Sequence, residues 1–431
     1  MSSSSFHLKR DIGFFEATLY GVGIILGAGI YALIGAGAEA SGNALWMSFL
    51  AGAVLAAFTG LSYAELSSMY PQDAAEYVYV KHAFNKKIPA FIVEWLMLFT
   101  GIVSATTVAL GFSGYFSHLF GGNVQMIAAA LIVLISLLNY YGIKESARYN
   151  DVSTLIEVAG LLLVIGIGTV WFLTGKSAGT DFFAAKDGWH GVLGGTAIIF
   201  FAFLGFEHLA NMAEETKNAP RVIPRALLLS LFISTLIYIL VAWAAIAVVP
   251  AEELAASSAP LATVVKAALP WAEPLLSVIA LFATSNTVLI ILIVASRLLY
   301  GLASNHSLPS PFKKIGRRGT PTMAVFMVGG LAIAGLFIGS IKQVALLTDV
   351  GIFMVYIVIN LAALVLRYRA PEAPRPYRAP LNLGRFSVTA FLGVLSAFGM
   401  LFFFEKKLLL YELLVLLVGL MLYWIFSNRT P

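Results

Sequence analysis

The chain has 431 residues, no cysteine and little charge: Asp, Glu, Lys and Arg together make up 11% of it. Without cysteine there is no disulfide framework, no disulfide-linked subunit, no thiolate catalysis and no Cys-based metal site. The shortage of charge excludes a soluble fold. A soluble domain carries about a quarter charged residues, whereas 60% of this chain is hydrophobic. A larger globule cannot hide that much apolar surface, because surface does not vanish with size. Catalytic patterns are missing too. The six histidines show no metal-ligand spacing, and no nucleophile elbow accompanies the serines. The sequence therefore predicts no enzyme, no cofactor and no metal.

What the chain has is apolar runs of about 20 residues, the length that crosses roughly 30 Å of hydrocarbon. Twelve are predicted, at about 14–38, 43–69, 89–117, 124–142, 151–174, 190–212, 224–249, 272–304, 322–340, 345–367, 386–404 and 408–426. The runs do not break into ten-residue alternating segments, so they read as helices, not barrel strands. The predicted fold class is an all-α integral membrane protein, with the lipid bilayer as its solvent. The polar N-terminal stretch shows no cleavage signal, and the first helix is expected to act as the insertion signal.

The net charge is +5. The basic residues lie in short loops between apolar runs, which argues for topology signals and against nucleic acid. With the N-terminus inside, one set of loops holds 20 of the 27 Lys and Arg residues and the other set holds 6. This asymmetry places both termini in the cytoplasm and supports an even helix count. The longest polar stretch, near 368–385, is rich in Pro and Arg, and its prolines cannot continue a helix. It predicts a cytoplasmic linker, at 371–385, between a ten-helix core over 1–370 and two added helices over 386–431.

Three places could carry chemistry. The first span holds Gly21, Gly23, Gly27 and Gly29 within nine residues. Glycine costs a helix up to about 1 kcal/mol per residue. The cluster marks either close helix packing, which Gly23 and Gly27 suit, or a break whose freed amides and carbonyls bind a ligand; this span alone does not decide. The sixth span places Gly205 mid-membrane with Glu207 and His208 just after it. Ionisable groups at that depth face a cavity or a partner. Paired interruptions in corresponding positions point to a transporter site. In the fifth span, Glu157 lies roughly 9 Å inside one end at 1.5 Å per residue. It either snorkels toward Lys144 or Arg148 or accepts a proton.

Several segments in order resemble the amino acid–polyamine–organocation superfamily of permeases. They are Gly27-Ala-Gly-Ile30; Tyr63-Ala-Glu-Leu-Ser-Ser-Met-Tyr-Pro71 followed by Glu76-Tyr-Val-Tyr79; Leu138-Asn-Tyr-Tyr-Gly-Ile-Lys-Glu-Ser-Ala147; Phe200-Phe-Ala-Phe-Leu-Gly-Phe-Glu207 with Glu214–Arg225; Ser296-Arg-Leu-Leu-Tyr300; and Leu366-Arg-Tyr-Arg369 with the Arg-Pro linker. The resemblance spans about residues 8–380. It implies secondary transport of an amino acid or related amine across the cytoplasmic membrane by alternating access, by proton-coupled symport or exchange. A polyamine or cationic amino acid carrier is the alternative within transport, and a non-transporting amino acid sensor is the alternative outside it. The resemblance also implies two inverted five-helix repeats, at about 11–175 and 188–370, with helices 1 and 6 broken. By similarity, the substrate carboxylate would meet amides at Gly27, Ala28 and Gly29 with Ile25 nearby, and the amino group would meet carbonyls near Ile24 and Leu204. Phe201 takes the aromatic gate position, and Glu207 lies beside the side-chain pocket with Gly205. Two departures stand out. The family's glycine pair before Glu76 is Ala74 and Ala75 here, and Glu157 stands where many proton-coupled members carry lysine. Glu157 is the expected proton site. The rival is sodium, held in part by Ser285 and Asn286 on the eighth span.

Overall fold

The computed structural model describes residues 12–72, 74–141, 143–177, 179–316 and 318–427, with the side chains of 143–151 excepted. The basic residues Lys9, Arg10, Lys144, Arg148, Arg317 and Arg429 lie outside that description. So does the reading in which Glu157 reaches toward Lys144 or Arg148.

Helices dominate, as they must where hydrocarbon offers no partner for a backbone N–H or C=O. In chain order they are α1 (Phe14–Ser41), α2 (Leu45–Met69), α3 (Ala75–Phe84), α4 (Lys87–Phe120), α5 (Val124–Tyr141), α6 (Ile143–Leu173), α7 (Gly188–Ile199), α8 (Ala219–Val248), α9 (Ala251–Ala256), α10 (Pro260–Ala268), α11 (Glu273–Ser304), α12 (Thr322–Gly335), α13 (Ile341–Arg369), α14 (Val388–Met400) and α15 (Lys406–Ser427). Beyond α7 the sixth span continues as two 3₁₀ segments, Phe200–Phe203 and Phe206–Glu215. Among the described residues, ten helical stretches are long and apolar enough to cross a membrane. The other two predicted runs are shorter, at Thr322–Gly335 and Val388–Phe403. Fourteen residues of α12 rise only about 21 Å.

Burial ranks the spans. In α1, 78% of the most apolar stretch is buried inside the protein, against 17% in α15. The first helix therefore runs through the centre, and α15 mostly faces outward. Three short helices, α3, α9 and α10, lie in connections read from the sequence as plain loops. The segment 371–385 has structure of its own. Its last part is a β-hairpin, Asn382–Leu383 paired with Phe386–Ser387. Its first part is tied to α2: Glu65 forms a two-pronged ion pair with Arg367, approaches Arg375 at 3.3 Å and accepts the Ala379 N–H at 2.9 Å. A Pro-rich segment cannot be helical, but two arginines, one backbone amide and one buried carboxylate give it a fixed shape. The helices after it pack directly on the earlier ones. Gly393 of α14 meets Asn360 of α13, and Trp95 of α4 donates to the Val415 carbonyl of α15.

Candidate substrate site

The glycine cluster of α1 resolves into a break. Gly27 has φ 3° and ψ −166°, inside an otherwise helical run. The first amides after a helix start have no intrahelical partner. One of them, the Ala28 N–H, donates instead to Thr287 Oγ1 of α11 at 3.0 Å. On the other side of the break, Tyr238 of α8 brings its hydroxyl against the Ile25 carbonyl and donates to the Ala202 carbonyl at 2.8 Å. One phenol therefore links the interrupted backbones of the first and sixth spans.

The sixth span loses its α-helical pattern after Ile199. Leu204 is extended (φ −63°, ψ 145°), and Gly205 has φ 118°. A side chain is excluded at Gly205 twice over: the positive φ favours glycine, and a Cβ there would lie 2.2 Å from Cγ2 of Ile24. The same closeness holds at Gly29, where a Cβ would come within 2.5 Å of the Ala202 Cα. Glycine is thus what lets the two broken segments touch. The orphan Gly205 N–H donates to Glu207 Oε2 at 3.0 Å, and Tyr356 of α13 donates to the same oxygen at 3.2 Å.

A cavity opens where these segments meet. Its lining includes all nine residues named above for substrate binding: Ile24, Ile25, Gly27, Ala28, Gly29, Phe201, Leu204, Gly205 and Glu207. Three further helices each present one stripe. From α4 come Met97, Thr100, Gly101 and Ser104; from α11, Thr287, Ile290 and Ile291; from α13, Thr348 and Ile352. Steps of three and four are the spacing of a single helix face. Sequence reasoning missed all three stripes, because a uniformly apolar helix does not announce which face turns inward.

The coupling candidates are placed differently. Neither Ser285 nor Asn286 lines the cavity; the α11 hydroxyl at the break is Thr287. Ser285 Oγ donates to its own helix, at the Leu281 carbonyl. Ser285 is two residues from Thr287 and Asn286 one, which rotate a side chain by about 200° and about 100° around the helix axis. Glu157 does not line the cavity either. It is buried on α6 behind α1, bracketed by two contacts: Gly23 packs on Thr154, and the Tyr31 hydroxyl donates to the Glu157 carbonyl at 2.9 Å. That puts it level with the Gly27 break, outside the cavity lining. Its Oε1 has no hydrogen-bond partner among the described residues.

Among the described residues, ten membrane-length stretches, two of them interrupted where they meet at a central cavity, define a multi-pass membrane transporter, not an enzyme. The chain matches the family described as amino acid permease over residues 12–426, and it belongs to that family. It is 28% identical over 446 aligned residues to the branched-chain amino acid permease BcaP of Bacillus subtilis (strain 168), an alignment covering 98% of this chain and 94% of that one. It is 30% identical over 404 residues to the methylthioribose transporter of the same bacterium, with 88% and 86% covered. Its similarity to the vacuolar cationic amino acid transporter 4 of Arabidopsis thaliana is 28% over 399 residues; this covers 85% of this chain and 64% of that longer protein.

Proposed function

We propose that the protein is a secondary active transporter of amino acids with apolar side chains, working by alternating access in the cytoplasmic membrane with both termini inside. The observation that carries this reading is the meeting of two helix breaks at one cavity. Backbone amides after Gly27 offer donors to a carboxylate, and carbonyls before the breaks offer acceptors to an ammonium. Ile24, Ile25, Met97, Ile290, Ile291 and Ile352 leave an apolar wall for the side chain. The relative named for branched-chain amino acids, similar over nearly the whole chain, supports that choice.

Coupling is assigned to a proton carried by Glu157. A carboxyl buried at membrane depth crosses either as the acid or beside a cation, and an acid releases its proton when the site turns to water. A proton moving down one pH unit releases about 1.4 kcal/mol, a tenfold concentration ratio. The test is uptake of labelled leucine into proteoliposomes, with the membrane potential clamped at zero and a proton or sodium gradient imposed alone. Glu157→Gln should lose about tenfold in limiting accumulation per pH unit, while exchange at equal pH survives. Sodium-driven uptake indifferent to pH would reject the assignment. The second reading is a cationic substrate facing Glu207, which lines the cavity. Two donors already occupy Oε2 of that carboxylate, so leucine should outcompete lysine in the same assay; the reverse order would favour the cationic reading.

A further inference from the structure

Asp349 is a buried carboxyl that none of the preceding assignments uses. It lies on α13, about 12 Å from the helix start at 1.5 Å per residue. It is fully buried, and neither carboxyl oxygen has a hydrogen-bond partner among the described residues. The ion pairs recorded there engage Glu39, Glu65 and Glu273, not Asp349. A buried acid serving only the fold is ordinarily satisfied, as Glu65 is by two arginines and an amide. Asp349 is instead placed beside the cavity and the interrupted sixth span. Its neighbour Thr348 lines the cavity together with Phe201 of the first 3₁₀ segment, Phe353 one turn further on α13 packs its ring on Phe200 at 4.5 Å, and the Phe201 N–H is directed at the carboxyl without meeting hydrogen-bond geometry.

We propose that Asp349 is a second proton site, which couples protonation to movement of the Phe200–Phe203 segment; this rests on the proton-coupled reading above. The charged form needs donors, and those within the fold are the Phe201 amide and its neighbours. The acid form needs none. Ionisation therefore favours a sixth span shifted toward α13, and protonation favours the arrangement seen here. The proton is taken from water on the side where the cavity opens, forming the carboxyl O–H. It is released to water on the other side when that bond breaks, and no other reactant enters. The titratable groups around Asp349 are Tyr356 on its own helix, Glu207 of the sixth span, which Tyr356 contacts, and Glu412 of α15, which packs on the opposite face of α13 at Gly351.

The test measures limiting leucine accumulation against the imposed pH difference at zero potential, in wild type, Glu157→Gln, Asp349→Asn and the double variant. Two proton sites give about a hundredfold rise per pH unit in wild type, about tenfold in each single variant and none in the double, with exchange at equal pH kept throughout. A wild-type slope of about tenfold that Asp349→Asn leaves unchanged overturns the inference and leaves the Glu157 assignment standing. A wild-type slope of about tenfold lost only in Asp349→Asn overturns the Glu157 assignment instead. A wild type indifferent to protons overturns both. If Asp349→Asn does not fold, Glu157→Gln decides: a remaining tenfold slope supports the second site, and none overturns it.

Discussion

The two interrupted spans solve the same problem in different ways. The first breaks at one residue, Gly27, and resumes as α-helix at once. The sixth gives up its α-helical pattern for the whole of Phe200–Glu215, apart from the turn at Leu204 and Gly205. Runs of 3₁₀ longer than three or four residues are uncommon and often mark a hinge, so the ten residues Phe206–Glu215 are unusual. The orphan amides differ as well. In the first span the Ala28 N–H is satisfied from another helix, by Thr287; in the sixth the Gly205 N–H is satisfied two residues away, by Glu207. A cap borrowed from a neighbour fixes the segment to that neighbour, whereas a local cap travels with its own segment. The cap of the first span therefore ties it to α11, whereas the cap at Gly205 stays within its own segment.

Keeping the two segments apart should have the largest effect on transport. Gly205→Ala puts a Cβ against Ile24 and holds a non-glycine residue at φ 118°. Overpacking and a forced positive φ together cost about 3 kcal/mol or more, so leucine uptake should fall by about two orders of magnitude while surface expression persists. Uptake within a few-fold of wild type would show that the close approach at Gly205 is not needed for transport.

Much of this arrangement was legible in the sequence. Runs of apolar residues fixed the spans because only helices satisfy their own backbone in lipid. The glycine cluster marked the right segment of α1 but could not separate packing from a break, since small residues serve both. The structure in fact shows both: Gly23 packs on Thr154 while Gly27 breaks the helix. Thr287 was not legible, because the face of α11 that turns inward depends on where the break in α1 falls. Asp349 was hidden by a boundary. A span starting at 345 leaves it about one turn from the membrane edge, where an acid needs no explanation; α13 begins at Ile341, which sets Asp349 two turns deep.

A smaller effect sharpens the contrast between the two caps. Thr287→Val keeps the side-chain shape and removes the hydroxyl that accepts the Ala28 N–H. An unpaired buried donor costs about 1–3 kcal/mol, so the substrate-free protein should melt at a lower temperature. A substrate carboxylate at Ala28 would no longer have to displace the hydroxyl, so leucine should raise the melting temperature of the variant by more than it raises that of wild type. A smaller rise than in wild type would mean that Thr287 itself contacts the substrate.

The smallest effect concerns the tether between α3 and the sixth span. Ala74 and Ala75 stand where the family's pair of glycines is expected, and Ala74 takes up a glycine's conformation, φ 53° and ψ 47°. The Ala75 N–H donates to Asn211 Oδ1 at 2.8 Å, and Asn211 in turn donates to Glu76 at 3.3 Å. The start of α3 is thereby joined to the 3₁₀ segment of the sixth span. The left-handed region costs an L residue about 1–2 kcal/mol, and glycine returns about 0.5–1 kcal/mol of that through its freer unfolded chain. Ala74→Gly should therefore stabilise the protein by a net of about 0.5–1 kcal/mol. In a chain of this size that is a rise of about 1–2 °C in melting temperature. Because the native φ and ψ already suit glycine, the tether to Asn211 should keep its geometry and leucine uptake should stay within about twofold. A lower melting temperature would show that Ala74 bears no strain. An unchanged one with much faster uptake would show instead that stiffness at this turn limits the movement of the sixth span.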